Sequence, residues 1–189
     1  WTVPQDVLTS PGAPVSRPSL AVTPDGFLHA TWSSGGREGP LFHARAPACC
    51  ADDVHNWSRP THVDGPVLQS NALKPDRQSR LHVAFASWET GNVVYRRSED
   101  SGLTWPVRVE MFGDKMAEDE YALGPRLSVD GLGRVHMVWT VMPWPGRRVM
   151  YARSDDGGET WPEIQVIDDV SGGRYHEGYG PIFIDVEAR

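Results

Sequence analysis

The sequence predicts an all-β fold, a β-propeller of four-stranded antiparallel blades, and three observations predict it. First, the octapeptide Ser98-Glu99-Asp100-Ser101-Gly102-Leu103-Thr104-Trp105 returns as Ser154-Asp155-Asp156-Gly157-Gly158-Glu159-Thr160-Trp161. Both copies read Ser-x-Asp-x-Gly-x-Thr-Trp, both follow a Tyr-x-Arg step, and both run directly into proline. Second, tryptophans in equivalent contexts stand at Trp1, Trp57, Trp105 and Trp161, spaced by 56, 48 and 56 residues, which marks a repeat architecture. Third, 19 glycines and 16 prolines in 189 residues leave few long helix-forming runs, which favours short strands joined by tight turns.

Within each repeat the elements follow in a fixed order. The first strand carries an extended Pro-x-Leu-x-Val step, in Pro18-Ser19-Leu20-Ala21-Val22 and Pro125-Arg126-Leu127-Ser128-Val129, with looser copies at Asn71-Ala72-Leu73 and Pro181-Ile182-Phe183-Ile184-Asp185. Leu20, Leu73, Leu127 and Phe183 are spaced by 53, 54 and 56 residues. Turns follow at Pro24-Asp25-Gly26, Pro75-Asp76 and Asp130-Gly131-Leu132-Gly133, where Asp supplies side-chain hydrogen bonds and Gly a positive φ. The second strand reads Leu28-His29-Ala30-Thr31-Trp32, Leu81-His82-Val83-Ala84-Phe85 and Val135-His136-Met137-Val138-Trp139. Its apolar residues alternate with period two, so Leu28, Ala30 and Trp32 share one face. The third strand is Leu41-Phe42-His43-Ala44-Arg45, Val93-Val94-Tyr95-Arg96-Arg97 and Val149-Met150-Tyr151-Ala152-Arg153, and it leads into the Ser-x-Asp turn. A short fourth strand follows each tryptophan.

Each unit is thus a four-stranded meander of about 54 residues. Such a unit cannot bury both of its faces alone. Radial repetition as a propeller buries them and leaves only short, protected edges. The expected boundaries are an outer strand over 1–8, blades over 16–64, 70–110 and 124–168, and the first strand of a next blade over 180–189. The first unit departs from the turn pattern. Asp52 stands where Asp100 and Asp156 stand, but Val54 replaces the glycine, Asn56 replaces the threonine, and residues 47–50 read as an insertion.

Bulk properties narrow the function. A formal net charge of −7 argues against general affinity for nucleic acid or an anionic membrane, while leaving room for a local basic pocket. No run approaches the roughly 18 apolar residues of a membrane span. Residue 1 already lies inside the repeat pattern, so no signal peptide is expected within this sequence. Cys49 and Cys50 are adjacent and match no metal-ligand spacing. They are compatible with reduced or buried thiols, a strained adjacent disulfide, or an intermolecular bond. No cofactor and no metal is expected.

The repeat resembles the Asp-box, or bacterial neuraminidase repeat, of sialidase-like β-propellers, and the resemblance covers essentially the whole chain. It implies that the box forms the hairpin between third and fourth strands. Asp and Ser would bind nearby backbone N–H groups, Gly would permit positive φ, and Trp would cover the turn. The structural box residues are then Ser98, Asp100, Gly102, Thr104, Trp105, Ser154, Asp156, Gly158, Thr160 and Trp161. Their repetition is what a structural turn requires and a single active site does not. His29, His82 and His136 recur at one position and are read as packing or interblade hydrogen-bonding residues; Trp32 and Trp139 are read as core. Propellers of this family have six blades, so this chain is expected to be part of a longer protein or to complete its ring with another chain.

The resemblance also implies where chemistry would sit. The first strand of each blade lies nearest the central axis, so residues just before it can line a shared cleft. Sialidases hold the substrate carboxylate with arginines, in forked charge-assisted contacts, and use a tyrosine nucleophile polarised by a glutamate. Ser16-Arg17-Pro18-Ser19-Leu20 resembles the Arg-Ile-Pro-x-Leu pattern but lacks the residue between Arg and Pro, which changes the arginine's direction along the strand. Arg126 follows Pro125 where a matching arginine would precede it, and no acid/base aspartate of the family is matched in the first unit. If the chain is catalytic, Arg17 and Arg126 would bind the carboxylate, with Tyr179 and Glu177 as nucleophile pair. Arg174, Asn71 and Trp144 are expected ligand-binding residues, Trp144 through stacking of its ring on a sugar or partner.

Three functions follow: a noncatalytic glycan-binding or protein-interaction module, which leads; an exo-α-sialidase-type glycoside hydrolase with part of its site outside this chain; and a structural subunit of an extracellular assembly. The partners expected are a glycan or protein at the central cleft and further blades. By analogy with the family, the location expected is secreted, periplasmic or cell surface.

Overall fold

The computed structural model describes residues 15–35, 38–112, 120–142 and 148–169. Among them run eleven strands: β1 (Val15–Val22), β2 (Phe27–Ser34), β3 (Gly39–Pro47), β4 (Thr61–Pro75), β5 (Leu81–Ser87), β6 (Val93–Ser98), β7 (Val107–Glu110), β8 (Tyr121–Val129), β9 (Val135–Met142), β10 (Arg148–Ser154) and β11 (Ile164–Asp169). Every pairing is antiparallel, and consecutive strands are neighbours, as short connections require. β1 to β7 form one sheet in chain order, and β8 to β11 form a second. The strands expected over 1–8 and 180–189 lie outside the described residues.

The boundary expected between residues 64 and 70 is not a break. β4 runs through it for 15 residues. Thr61, His62 and Asp64 pair with β3, Asn71 to Pro75 pair with β5, and Val67 faces both Gly39 and Ser87. Val67 is fully buried and paired on both sides, so the chain stays extended and the ladder passes from one neighbour to the other. Seven strands therefore share one sheet where two separate four-stranded sheets were expected; β8 to β11 alone stand as a separate four.

The long sheet doubles back at β4. Ala21, Leu41 and Val63 from its first half meet Val83, Phe85, Val94 and Trp105 from its second half in one apolar cluster. The opposite face of the second half, through Ala84, Val93 and Tyr95, packs on Leu127, Val135, Met137, Trp139 and Met150 of the other sheet. β5 is consequently buried at all seven positions. Trp32 and Trp139 are core, as the alternation predicts. Cys49 and Cys50 are free thiols in the short turn Ala48–Cys50.

Candidate functional site

The two Ser-x-Asp turns are built alike. Ser98 Oγ donates to Asp100 Oδ1 at 2.8 Å and accepts the buried Gly102 N–H at 2.8 Å. Asp100 accepts the Thr104 N–H at 2.8 Å and the Thr104 hydroxyl at 2.6 Å. Around Asp156 the same four bonds measure 2.6, 2.7, 2.9 and 2.5 Å. Burial opposes ionisation of Asp156, but the bonds from Ser154 and Thr160 outweigh it and hold the carboxyl at about 2. Both oxygens of each carboxylate are thus engaged within the turn.

Each turn also clasps the preceding unit. Gly102 and Gly158 have φ of +82° and +97°, and a Cβ there would fall 2.0 Å from the His43 ring and 1.9 Å from the Tyr95 hydroxyl. Trp105 meets His43 edge-on with centroids 5.7 Å apart, and Trp161 meets Tyr95 in the same way at 5.1 Å. Only glycine fits, for reasons of both dihedral and space.

Behind each clasp runs a hydrogen-bonded relay. Asp76 Oδ2 lies 3.2 Å from His82 Nε2, and His82 Nδ1 lies 2.6 Å from the Tyr95 hydroxyl. Asp130, His136 and Tyr151 repeat it at 3.4 and 2.9 Å. The carboxylate calls for the proton on Nε2, which leaves Nδ1 to accept from tyrosine. Burial works against ionisation of Asp76, yet the bonds from His82 and Arg80 prevail and hold it far below the usual carboxylate range. Burial keeps His82 neutral and pushes the Tyr95 hydroxyl well above its ordinary value. An Asp-His-Tyr chain suggests a nucleophile, but this one recurs in two units, and its Tyr95 copy is buried and presents a tyrosine that resists ionisation. In the first unit Thr23, His29 and His43 stand in its place, at 3.1 and 3.0 Å. The histidines are therefore bonded within their own units, and the reach to the next unit belongs to the ring that follows them.

β1, β4 and β8 converge on a different feature. A cleft of about 540 Å³ is lined from β1, β4 and β8 by Arg17, Asn71, Lys74 and Arg126, over a floor that includes Leu20, Leu73 and Leu127. Among its described lining residues are three cations and no carboxylate. Each contributing strand carries a register shift just before its apolar step, between Ser16 and Ser19, Val67 and Asn71, and Leu123 and Arg126. Such bulges re-aim side chains. Arg17 takes a φ of 55°, matching the φ of 60° at Gly124, three residues before the equivalent leucine. A left-handed residue with a side chain costs roughly 1–2 kcal/mol, so the surroundings must hold it. Thr31 Oγ1 donates to Asn71 Oδ1 at 2.6 Å, and Asn71 Nδ2 donates to the Arg17 carbonyl at 2.9 Å.

Three of the residues singled out from sequence, Arg17, Asn71 and Arg126, therefore line one cleft. Asn71 is 8% exposed, and its amide oxygen and nitrogen both bond protein groups, so it positions the Arg17 bulge. Glu177, Tyr179, Arg174 and Trp144 lie outside the described residues. Lys74 was missed, although its signal is in the repeat: it replaces Ala21 and Ser128 of the other units. Among the described residues no group of three or more His, Cys, Asp or Glu side chains is placed to hold a metal ion, and no helix is long and apolar enough to cross a membrane.

No protein-family model matches the sequence, and no curated protein sequence does. Solved structures do match in fold. A protein of unknown function from Dyadobacter fermentans aligns with a TM-score of 0.66 at 14% identity, over 85% of this chain and 52% of its own. A Hadza microbial sialidase aligns with a TM-score of 0.61 at 16% identity, over 82% and 38%. An ulvan lyase, a polysaccharide lyase bound to a GlcA(1-4)Rha3S fragment, aligns with a TM-score of 0.57 at 15% identity, over 76% and 39%. This chain spans between 38 and 52% of the length of these structures. At such identities the likeness is one of architecture: an all-β fold of antiparallel sheets shared with a sialidase and a polysaccharide lyase.

Proposed function

We propose that the chain is part of a sialidase-like Asp-box β-propeller and that its inner cleft binds an anionic glycan as a noncatalytic module. The observation that carries this is the convergence of Arg17, Lys74 and Arg126 from three different inner strands on one cleft with no carboxylate among its described lining residues. Two arginines offer forked donors to a carboxylate or sulfate, and lysine adds a point charge. Leu20, which is exposed, gives a sugar ring an apolar surface beside them. The GlcA(1-4)Rha3S fragment bound by the ulvan lyase, which joins a uronate to a sulfated sugar, is of the same chemical class. The seven-strand sheet fits the same reading, as two meanders that share β4. Such a module would act outside the cytoplasm, with further blades completing its ring.

A second reading has Arg17 and Arg126 holding the substrate carboxylate of a sialidase-type glycoside hydrolase, with Tyr179 and Glu177 as nucleophile pair. The left-handed Arg17 bulge favours it, because strained backbone held by buried partners gathers at working sites. One experiment separates the two. The protein is titrated calorimetrically with sialyl, uronate and sulfated oligosaccharides, and in parallel incubated with a fluorogenic sialoside. Binding without turnover, lost in Arg17→Ala and Arg126→Ala, supports the binding module. Turnover abolished by Arg17→Ala overturns it in favour of the enzyme, and no binding to any acidic glycan removes both.

A further inference from the structure

The connection between β3 and β4 is held differently from the other two turns that end in tryptophan. Serine, aspartate and threonine side chains tie the turns at 98–105 and 154–161. In the first unit Asp53 accepts the His55 N–H at 2.9 Å, and two main-chain carbonyls supply the rest. The Cys50 carbonyl accepts the Asn56 side-chain amide at 2.9 Å and the Asp53 N–H at 3.3 Å, and the Ala51 carbonyl accepts the Trp57 indole N–H at 2.9 Å. Trp57 packs on the cluster of Ala30, Trp32 and Ala44, so the Ala51 carbonyl helps to seat the tryptophan of this unit.

In the same segment stand the two cysteines of the sequence, Cys49 and Cys50, within the 3-10 turn Ala48–Cys50. Both are free thiols, Cys49 exposed and Cys50 half-buried. The two side chains are hydrogen-bonded to each other, and this bond, helped by the Asp52 carboxylate, pushes the Cys50 thiol above its ordinary range. Among the described residues no group of three or more His, Cys, Asp or Glu side chains forms around them to hold a metal ion. The chemistry open to the pair is that of sulfur with sulfur.

We propose that Cys49 and Cys50 form a redox-active dithiol, which a small-molecule disulfide such as oxidised glutathione closes into a ring and excess thiol reopens, and that closure loosens this turn alone. Exposed Cys49 is the sulfur that a small disulfide reaches. Its thiolate attacks one sulfur of the disulfide, forms a mixed disulfide and expels the first small thiolate. Cys50 stays protonated until then, and on losing its proton attacks the Cys49 sulfur and expels the second. The chain gives up two electrons and two protons, and the small disulfide leaves as two thiols.

Geometry makes the ring reversible and couples it to the turn. Adjacent Cα atoms are about 3.8 Å apart, whereas disulfides usually span about 4.4–6.8 Å, and a bond forced outside that range is more easily reduced. Successive side chains of a 3-10 turn also point about 120° apart. The sulfurs can therefore bond only if the peptide between Cys49 and Cys50 leaves its 3-10 conformation. That movement carries the Cys50 and Ala51 carbonyls away from Asn56 and Trp57. The turns at 98–105 and 154–161 contain no cysteine and keep their side-chain bonds.

The test incubates the whole chain with oxidised glutathione, blocks the remaining thiols with iodoacetamide and weighs the proteolytic fragment that holds both cysteines. A mass lower by two hydrogens, with no glutathione attached, is expected, and excess reduced glutathione should reverse it. Cys50→Ser lacks the second thiol and should keep glutathione on Cys49 at a level at least about tenfold above the unsubstituted chain. On closure the indole N–H signal of Trp57, assigned with Trp57→Phe, should shift in proton–nitrogen NMR spectra while those of Trp105 and Trp161 stay in place. The mass and NMR measurements on the unsubstituted chain decide the matter even if a variant unfolds. A stable glutathione adduct on that chain, a disulfide between two chains, thiols that stay open, or a closed ring with an unmoved Trp57 signal overturns the proposal.

Discussion

The Ser-x-Asp turns and the basic cleft of this molecule follow opposite logic. At 98–105 and 154–161 the same four hydrogen bonds recur with lengths that differ by no more than 0.2 Å. Along the cleft the repeats diverge instead. Arg17 stands against Ser70 and Gly124, Lys74 against Ala21 and Ser128, and Arg126 against Ser19 and Ala72. The Ser, Asp and Thr side chains that recur bond one another and hold the turns, whereas the cationic residues that occur once line a cleft. An acidic, glycine-rich turn is therefore a poor guide to chemistry when it is repeated, and a departure from the repeat is a better one.

Substitutions can break this contrast. The largest effect belongs to Gly158→Ala, which adds a left-handed side chain and drives it into Tyr95. A loss on the order of 3 kcal/mol is expected, read as a lower urea midpoint. Ser154→Ala removes the acceptor of the buried Gly158 N–H and a donor to Asp156. About 1–3 kcal/mol should be lost by the same measurement, with anion binding unchanged in the folded protein. Equal binding losses from the turn variants would erase the distinction between clasp and cleft.

Acid sharpens the comparison in a different way. Burial lowers His29 to about 4 and His43 to about 3 from an ordinary 6.5, so both are neutral in the fold and take up protons on unfolding. The unfolded chain binds more protons throughout this window, and stability must fall as pH drops from about 6.5 toward 4. His43→Tyr gives the first unit the ring of the other two and should flatten that slope, which pH-dependent urea melts would measure.

The smallest expected change in stability is at the cleft. Arg17→Ala should alter the stability read from urea melts by less than about 0.5 kcal/mol while weakening anionic glycan binding at least about tenfold. Arg17→Gly should lose the same binding yet be more stable than Arg17→Ala by roughly 1 kcal/mol, since only the alanine keeps the left-handed cost. A stability loss of several kcal/mol in Arg17→Ala would make the arginine a structural ion-pair residue.

Much of the fold was legible from local pattern. The second strands, the turns around Asp76 and Asp130, and the glycine turns follow from period-two alternation and from side chains that bond backbone a few residues away. The continuous β4 was not, because Val67 stays extended through pairing on both sides, and neither partner strand is near it in sequence. At the cleft, Arg17 and Arg126 were found through their position before an inner strand, while Lys74 sits inside the strand and escaped notice. Asn71 was read as a ligand group, although Thr31 and the Arg17 carbonyl occupy it.

The sequence by itself determined the strand order, the two glycine turns and the positions at which the repeats differ, since these depend on interactions within a few residues. Only the tertiary structure decided that Arg17, Lys74 and Arg126, each more than fifty residues from the next, share one cleft. It alone seated Gly102 on His43 and Gly158 on Tyr95. Those meetings are set by how the sheets double back and pack, and packing is a property of the whole core that no local period encodes.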